Sequence, residues 1–120
     1  FRFCENIEVL PDLPYNGDLK ADDPFHWTTG PYACLLAAIM GFSEIHMYGF
    51  DLWGIDDKVN NVYKDTINYS ASNYHEVDPR FWIYQMAKCF EYYPNRTWIQ
   101  HQPSDWKKPE GWNYSNLIIN

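Results

Sequence analysis

His75 is the side chain best placed by type and spacing to do acid–base chemistry in this sequence, with Asp51 and a turn of Thr28, Thr29, Gly30 and Tyr32 suited to binding an anionic donor. An imidazole titrates near neutral pH, and His75 closes a polar stretch a few residues before a predicted helix, where it can reach a cleft. Asp51 ends an apolar run, Glu44 to Phe50, that reads as a buried strand. Ligands of open α/β sheets bind at the carboxyl ends of such strands. The turn before the preceding helix would offer two hydroxyls and a bare glycine backbone, and the N–H groups around Tyr32 and Ala33 would point out of a positively polarised helix start. Each feature has a plainer explanation. Thr and Gly are common helix N-caps, Asp51 can cap the next turn, and His75 can be a solvent-exposed loop histidine.

The elements that must position these groups follow from punctuation and periodicity. Pro31 suits the first position of a helix over 31–40 and Gly41 its left-handed exit. A strand is expected over 44–49. Asp78-Pro79 reads as an N-cap and first helical residue, and Trp82, Met86 and Phe90 recur at helical spacing. Tyr93-Pro94-Asn95 ends that helix, and 97–101 reads as another strand. Residues 1–10 show strand-like alternation around Ile7 and Val9, and 117–119 is expected to begin a short helix. The stretch 52–73 is polar and aperiodic, as functional lids often are. The expected fold is a single α/β domain over 1–120, a Rossmann-like three-layer α/β/α arrangement with a short, mostly parallel sheet and right-handed crossovers.

Composition narrows the function classes. At 120 residues the chain supports one core, and 46% hydrophobic and 19% aromatic content excludes a disordered chain. A net charge of −7 disfavours nonspecific binding to nucleic acid or to anionic membranes. No stretch has the length and apolarity of a transmembrane helix. Three cysteines without close spacing read as thiols rather than a disulfide framework, with Cys34 and Cys89 in apolar helical patterns, and this points to a cytoplasmic setting. Six Trp and ten Tyr read either as core and oligomer interface, allowing a homo-oligomer, or as a stacking surface for a sugar or base. Four separated histidines and the absence of an Asp-x-Asp pair give no metal site and no cofactor. No G-x-G-x-x-G, P-loop or G-x-S-x-G motif occurs.

Thr28-Thr29-Gly30-Pro31-Tyr32-Ala33-Cys34 resembles the Thr-Ser-Gly-x-Tyr-x-Cys segment of the bacterial sialyltransferases that use CMP-sialic acid, glycosyltransferase family 42. Gly41-Phe42-Ser43-Glu44-Ile45-His46-Met47-Tyr48-Gly49-Phe50-Asp51 is similar to that family's Gly-Tyr-x-Glu-Ile-x-x-x-Gly-x-Asp. Tyr74-His75 precedes a helix as the family's catalytic histidine does, and Gln102-Pro103-Ser104 is similar to its Cys-Pro-Asn-Ser segment. The resemblance spans roughly 25–120. It implies a metal-independent transfer from a CMP-type nucleotide-sugar donor to the hydroxyl of a glycan acceptor, with His75 as general base. It further implies donor contacts at Thr28, Thr29, Gly30 and Tyr32, and at Trp53 and Tyr63 in the places of two phosphate-binding tyrosines. Trp53 departs from the family's tyrosine, since an indole N–H can donate a hydrogen bond but carries no phenolic proton. The family's glycine-rich nucleotide loop is not matched, so the chain is expected to be the C-terminal portion of a longer enzyme or a reduced relative. Two alternatives stand beside this expectation. One is a Mg-dependent pyrophosphokinase, because the pterin pyrophosphokinase-like proteins share Gly-Phe-x-x-Ile-x-x-x-Gly-x-Asp. The other is a non-catalytic assembly module of the same fold.

Overall fold

Helix α1, Thr29–Ile39, begins two residues earlier than its proline suggests. Thr28 is the N-cap, so Pro31 occupies the third position of the first turn, where a missing N–H still costs no intrahelical bond. The helix ends as expected. Gly41 takes a φ of +93°, and the N–H groups of Gly41 and Phe42 return to Ala38 and Ala37 at 3.1 and 3.3 Å, the double bond pattern of a left-handed helix stop. Arg96 adds a charged cap, donating from Nη2 to the Ala38 carbonyl at 3.0 Å. The chain is seen here as a computed structural model that describes residues 11–52 and 79–120.

Strand β1, Glu44–Tyr48, is not the buried strand expected but alternates strictly, with Ile45 and Met47 buried and Glu44, His46 and Tyr48 exposed, because the helices cover one face of the sheet. Helix α2, Arg80–Tyr92, starts after Pro79 as its N-cap, one residue later than expected. Strands β2, Thr97–His101, and β3, Leu117–Ile119, complete a parallel sheet in the order β1-β2-β3. The register sets Ile45 opposite Trp98 and Met47 opposite Gln100, then Trp98 opposite Leu117. Residues 117–119 are therefore a strand and not the start of a helix. A three-residue apolar run has no period of its own, and pairing with β2 decides its state. The expected strand over 1–10 and the loop over 53–73 lie outside the described residues.

The result is a small mixed α/β fold with a three-stranded parallel sheet, compatible with a Rossmann-like arrangement. Both helices pack on the face of the sheet that carries Ile45, Met47 and Trp98, around Tyr32, Leu35, Met86, Cys89 and Phe90. Much of the aromatic content goes into this core. Phe90 makes edge contacts with Trp98 and Trp112, at 5.4 and 5.2 Å between ring centres. Cys34 and Cys89 are buried free thiols. Among the described residues no helix is long and apolar enough to cross a membrane.

Candidate functional site at the carboxyl edge of the sheet

The chain leaves β1 through Gly49 at a φ of +76° and reaches Asp51 at the carboxyl edge of the sheet. Leu52 follows with a φ of 64°, a conformation unusual for a branched side chain and one that marks locally imposed strain. The Asp51 carbonyl accepts a hydrogen bond from Trp106 Nε1 at 2.8 Å, which ties this turn to the segment after β2. Gln100 Nε2 donates to the Phe50 carbonyl at 2.6 Å from the adjacent strand.

Helix α2 meets the same edge through Trp82. Its indole makes an edge contact with Phe50, 5.6 Å between ring centres. It also lies so close to Gly30 that a Cβ there would come within 2.3 Å of Trp82 Cζ2. Glycine at position 30 is thus explained by close packing. Three buried polar atoms around this edge have no hydrogen-bond partner among the described residues: Trp82 Nε1, Gln100 Oε1 and Gln102 Nε2. Such orphans are uncommon in folded proteins and call for a cause.

The structure divides the anticipated residues into three groups. Asp51, Thr29 and Gly30 are brought to this edge or to the first turn of α1. Because the helix begins at Thr29, the Tyr32 N–H is inside the helical ladder, bonded to the Thr28 carbonyl at 3.0 Å. The first-turn donors outside the ladder are those of Thr29 and Gly30. Thr28 and Tyr32 are engaged by the fold. Thr28 gives both its N–H and its hydroxyl to Gln85 Oε1, and Tyr32 is 1% exposed with its hydroxyl on the Pro11 carbonyl at 2.6 Å. His75, Trp53 and Tyr63 lie outside the described residues.

Gln100, Gln102, Trp82 and Trp106 were not anticipated. Gln100 carried a readable signal, since it alternates in phase with Trp98 along β2 and so falls on the helix-facing side. Gln102 opens the segment similar to Cys-Pro-Asn-Ser, which assigned it no role, and nothing local distinguishes Trp106. Among the described residues no three His, Cys, Asp or Glu side chains are arranged to hold a metal ion. No protein-family model, curated protein or solved structure matches this chain.

Proposed function

We propose that this chain is a sialyltransferase-like domain that takes a CMP-type nucleotide donor at the carboxyl edge of its sheet and passes the sugar to an acceptor hydroxyl. One observation carries the reading: Asp51, the first turn of α1 and the unpartnered polar atoms of Gln100, Gln102 and Trp82 share the edge where parallel α/β sheets bind ligands. The N–H groups of Thr29 and Gly30 would face the charge of the leaving phosphate. In this reading Thr28 and Tyr32 shape the turn and do not touch the donor. The resemblance supplies His75 as the base. It takes the acceptor hydroxyl proton as the oxygen bonds to the anomeric carbon, and the bond from that carbon to the phosphate oxygen breaks to release CMP. Trp53 and Tyr63 would donate to the leaving phosphate.

Calorimetric titration with CMP, UDP and ATP, each with and without Mg²⁺, tests the proposal. Metal-independent CMP binding that weakens in Thr29→Val and Gln100→Leu supports it. Binding of ATP with Mg²⁺ alone would move the assignment to a pyrophosphokinase relative. A second reading has its own observation. Thr28 and Tyr32, two of the resemblance's donor contacts, are consumed by internal hydrogen bonds, as in an assembly module that keeps the shape of an enzyme. Concentration-dependent self-association in light scattering, with no nucleotide bound, would select it.

A further inference from the structure

The face of the sheet opposite the helices carries a chain of hydrogen bonds that the donor site does not use. β1 presents Glu44, His46 and Tyr48 there, β2 presents His101, and Asn120 follows β3. His46 Nε2 lies 2.5 Å from Glu44 Oε1, His46 Nδ1 lies 2.8 Å from His101 Nε2, and Asn120 Nδ2 lies 3.3 Å from His101 Nδ1. The two imidazole planes are 15° from parallel, with ring centres 5.1 Å apart. Tyr48 stacks on His101 at 4.1 Å, 3° from parallel. Strands β1 and β2 and the residue that follows β3 contribute to one network.

Counting hydrogens sets its direction. An amide NH₂ can only donate, so His101 Nδ1 accepts. The single N–H of neutral His101 is then on Nε2 and points to His46 Nδ1. His46 in turn carries its hydrogen on Nε2 and gives it to the Glu44 carboxylate. This one pair of tautomers satisfies all three bonds. An added proton can be taken up without breaking the chain, because the direction between the rings reverses. His46 becomes the cation beside Glu44, donates from Nδ1 to His101 Nε2, and His101 offers Nδ1–H to the turned amide oxygen of Asn120. A second proton has no such place, since it sets N–H against N–H across 2.8 Å. His46 spends its two nitrogens on different partners, so Glu44, His46 and His101 do not converge on a point where a metal could sit.

We infer that Glu44, His46, His101 and Asn120 act as one proton-sharing unit, a pH-responsive clasp across the open face that holds with one added proton and opens on the second. Tyr48 and Glu44 are the ionisable groups that meet the pair among the described residues.

Long-range ¹⁵N NMR of the imidazoles in the full chain, from pH 8 to pH 4, tests this. At pH 8 both rings should show the Nε2–H tautomer. The resonances of both should move together in a first step, with the second proton bound at least about tenfold more weakly. In His46→Gln, His101 should titrate in one simple step, while His26, outside the network, should not change. His46 and His101 titrating independently in the wild type, each as it does without the other, would overturn the inference. So would His101 carrying its hydrogen on Nδ1 at pH 8. If a variant fails to fold, the wild-type tautomers and the concerted first step decide by themselves.

Discussion

Gln85 Oε1 receives two hydrogen bonds from Thr28, one from the backbone N–H and one from the hydroxyl, each at 3.0 Å. Gln85 Nε2 donates in the other direction to the carbonyls of Ala21 and His26, both at 3.1 Å. A fully buried amide on α2 thus clamps the loop that leads into α1. Thr28 is the N-cap by backbone, yet its hydroxyl is turned away from the helix. The first-turn N–H groups receive no cap from it.

Replacing this amide should therefore be costly. Gln85→Leu keeps the volume but strands the Thr28 donors and two carbonyls, each orphaned group costing on the order of 1–3 kcal/mol. A net loss of about 2–4 kcal/mol is expected in urea unfolding. A loss below about 0.5 kcal/mol, the level of an ordinary surface change, would show that the clamp does not hold the loop.

Gly30→Ala tests the approach of Trp82. Helix propensity alone predicts a gain of up to about 1 kcal/mol for this change. The contact with Trp82 predicts the opposite sign, a net loss of about 1–3 kcal/mol from overpacking. The loss should shrink when Trp82→Leu is combined with it, measured as a double-mutant cycle. Additive effects would mean that the indole moves away freely.

Tyr32→Phe separates fold from site. Loss of the bond to the Pro11 carbonyl should cost about 1 kcal/mol in thermal or chemical unfolding. Nucleotide affinity, where it is found, should not change. A drop in affinity without a drop in stability would return Tyr32 to the donor site.

Stability should fall at both ends of the pH range. Burial pushes the Asp22 carboxyl up, but the hydrogen bond from Tyr84 at 2.7 Å, the nearby Tyr15 phenol, the Leu19 N–H and the charge of Lys88 outweigh it. Tyr15 Oη faces the carboxylate without reaching hydrogen-bond geometry. The net shift is downward, so Asp22 stabilises the fold above its unfolded value near 3.8, and the contribution fades as pH falls through the folded value. Burial first, and then the Asp22 carboxylate, push Tyr84 up to about 12, and burial alone pushes the Cys34 thiol up to about 12. These contributions are complete below the unfolded values, 10.0 for a phenol and 9.0 for a thiol, and are lost as pH rises toward 12. Unfolding free energy measured against pH should show both limbs. Asp22→Asn should flatten the acid limb and weaken the Tyr84 part of the alkaline one.

The fold was legible where local chemistry and tertiary pairing agree. The glycine exit of α1, the position of β1 and the core stripe of α2 are set by periods and dihedral preferences that exist before the chain folds. Expectations missed where local signals were short or shared between states. Pro31 is compatible with any position of a first turn, so it could not date the start of α1. Leu117–Ile119 is too short to show a period, and its state rests on partners in β2. The edge proposed as the site could be named from Asp51 and the turn before α1, whereas the contacts made there could not. Thr28 and Tyr32 carry groups fit for a ligand, and internal partners reached them first.

What the sequence by itself determined is an α/β layering with two helices and two of the strands, with Asp51 just past the end of the first, because patterning and turn residues act over a few positions. Only the tertiary structure decided that Gln85 holds Thr28, that Trp82 closes on Gly30, and that His46 meets His101. Each of these links joins residues more than fifty positions apart. Such contacts depend on sheet register and helix packing, and a one-residue slip in β2 would turn His101 to the other face and break the chain from Glu44 to Asn120.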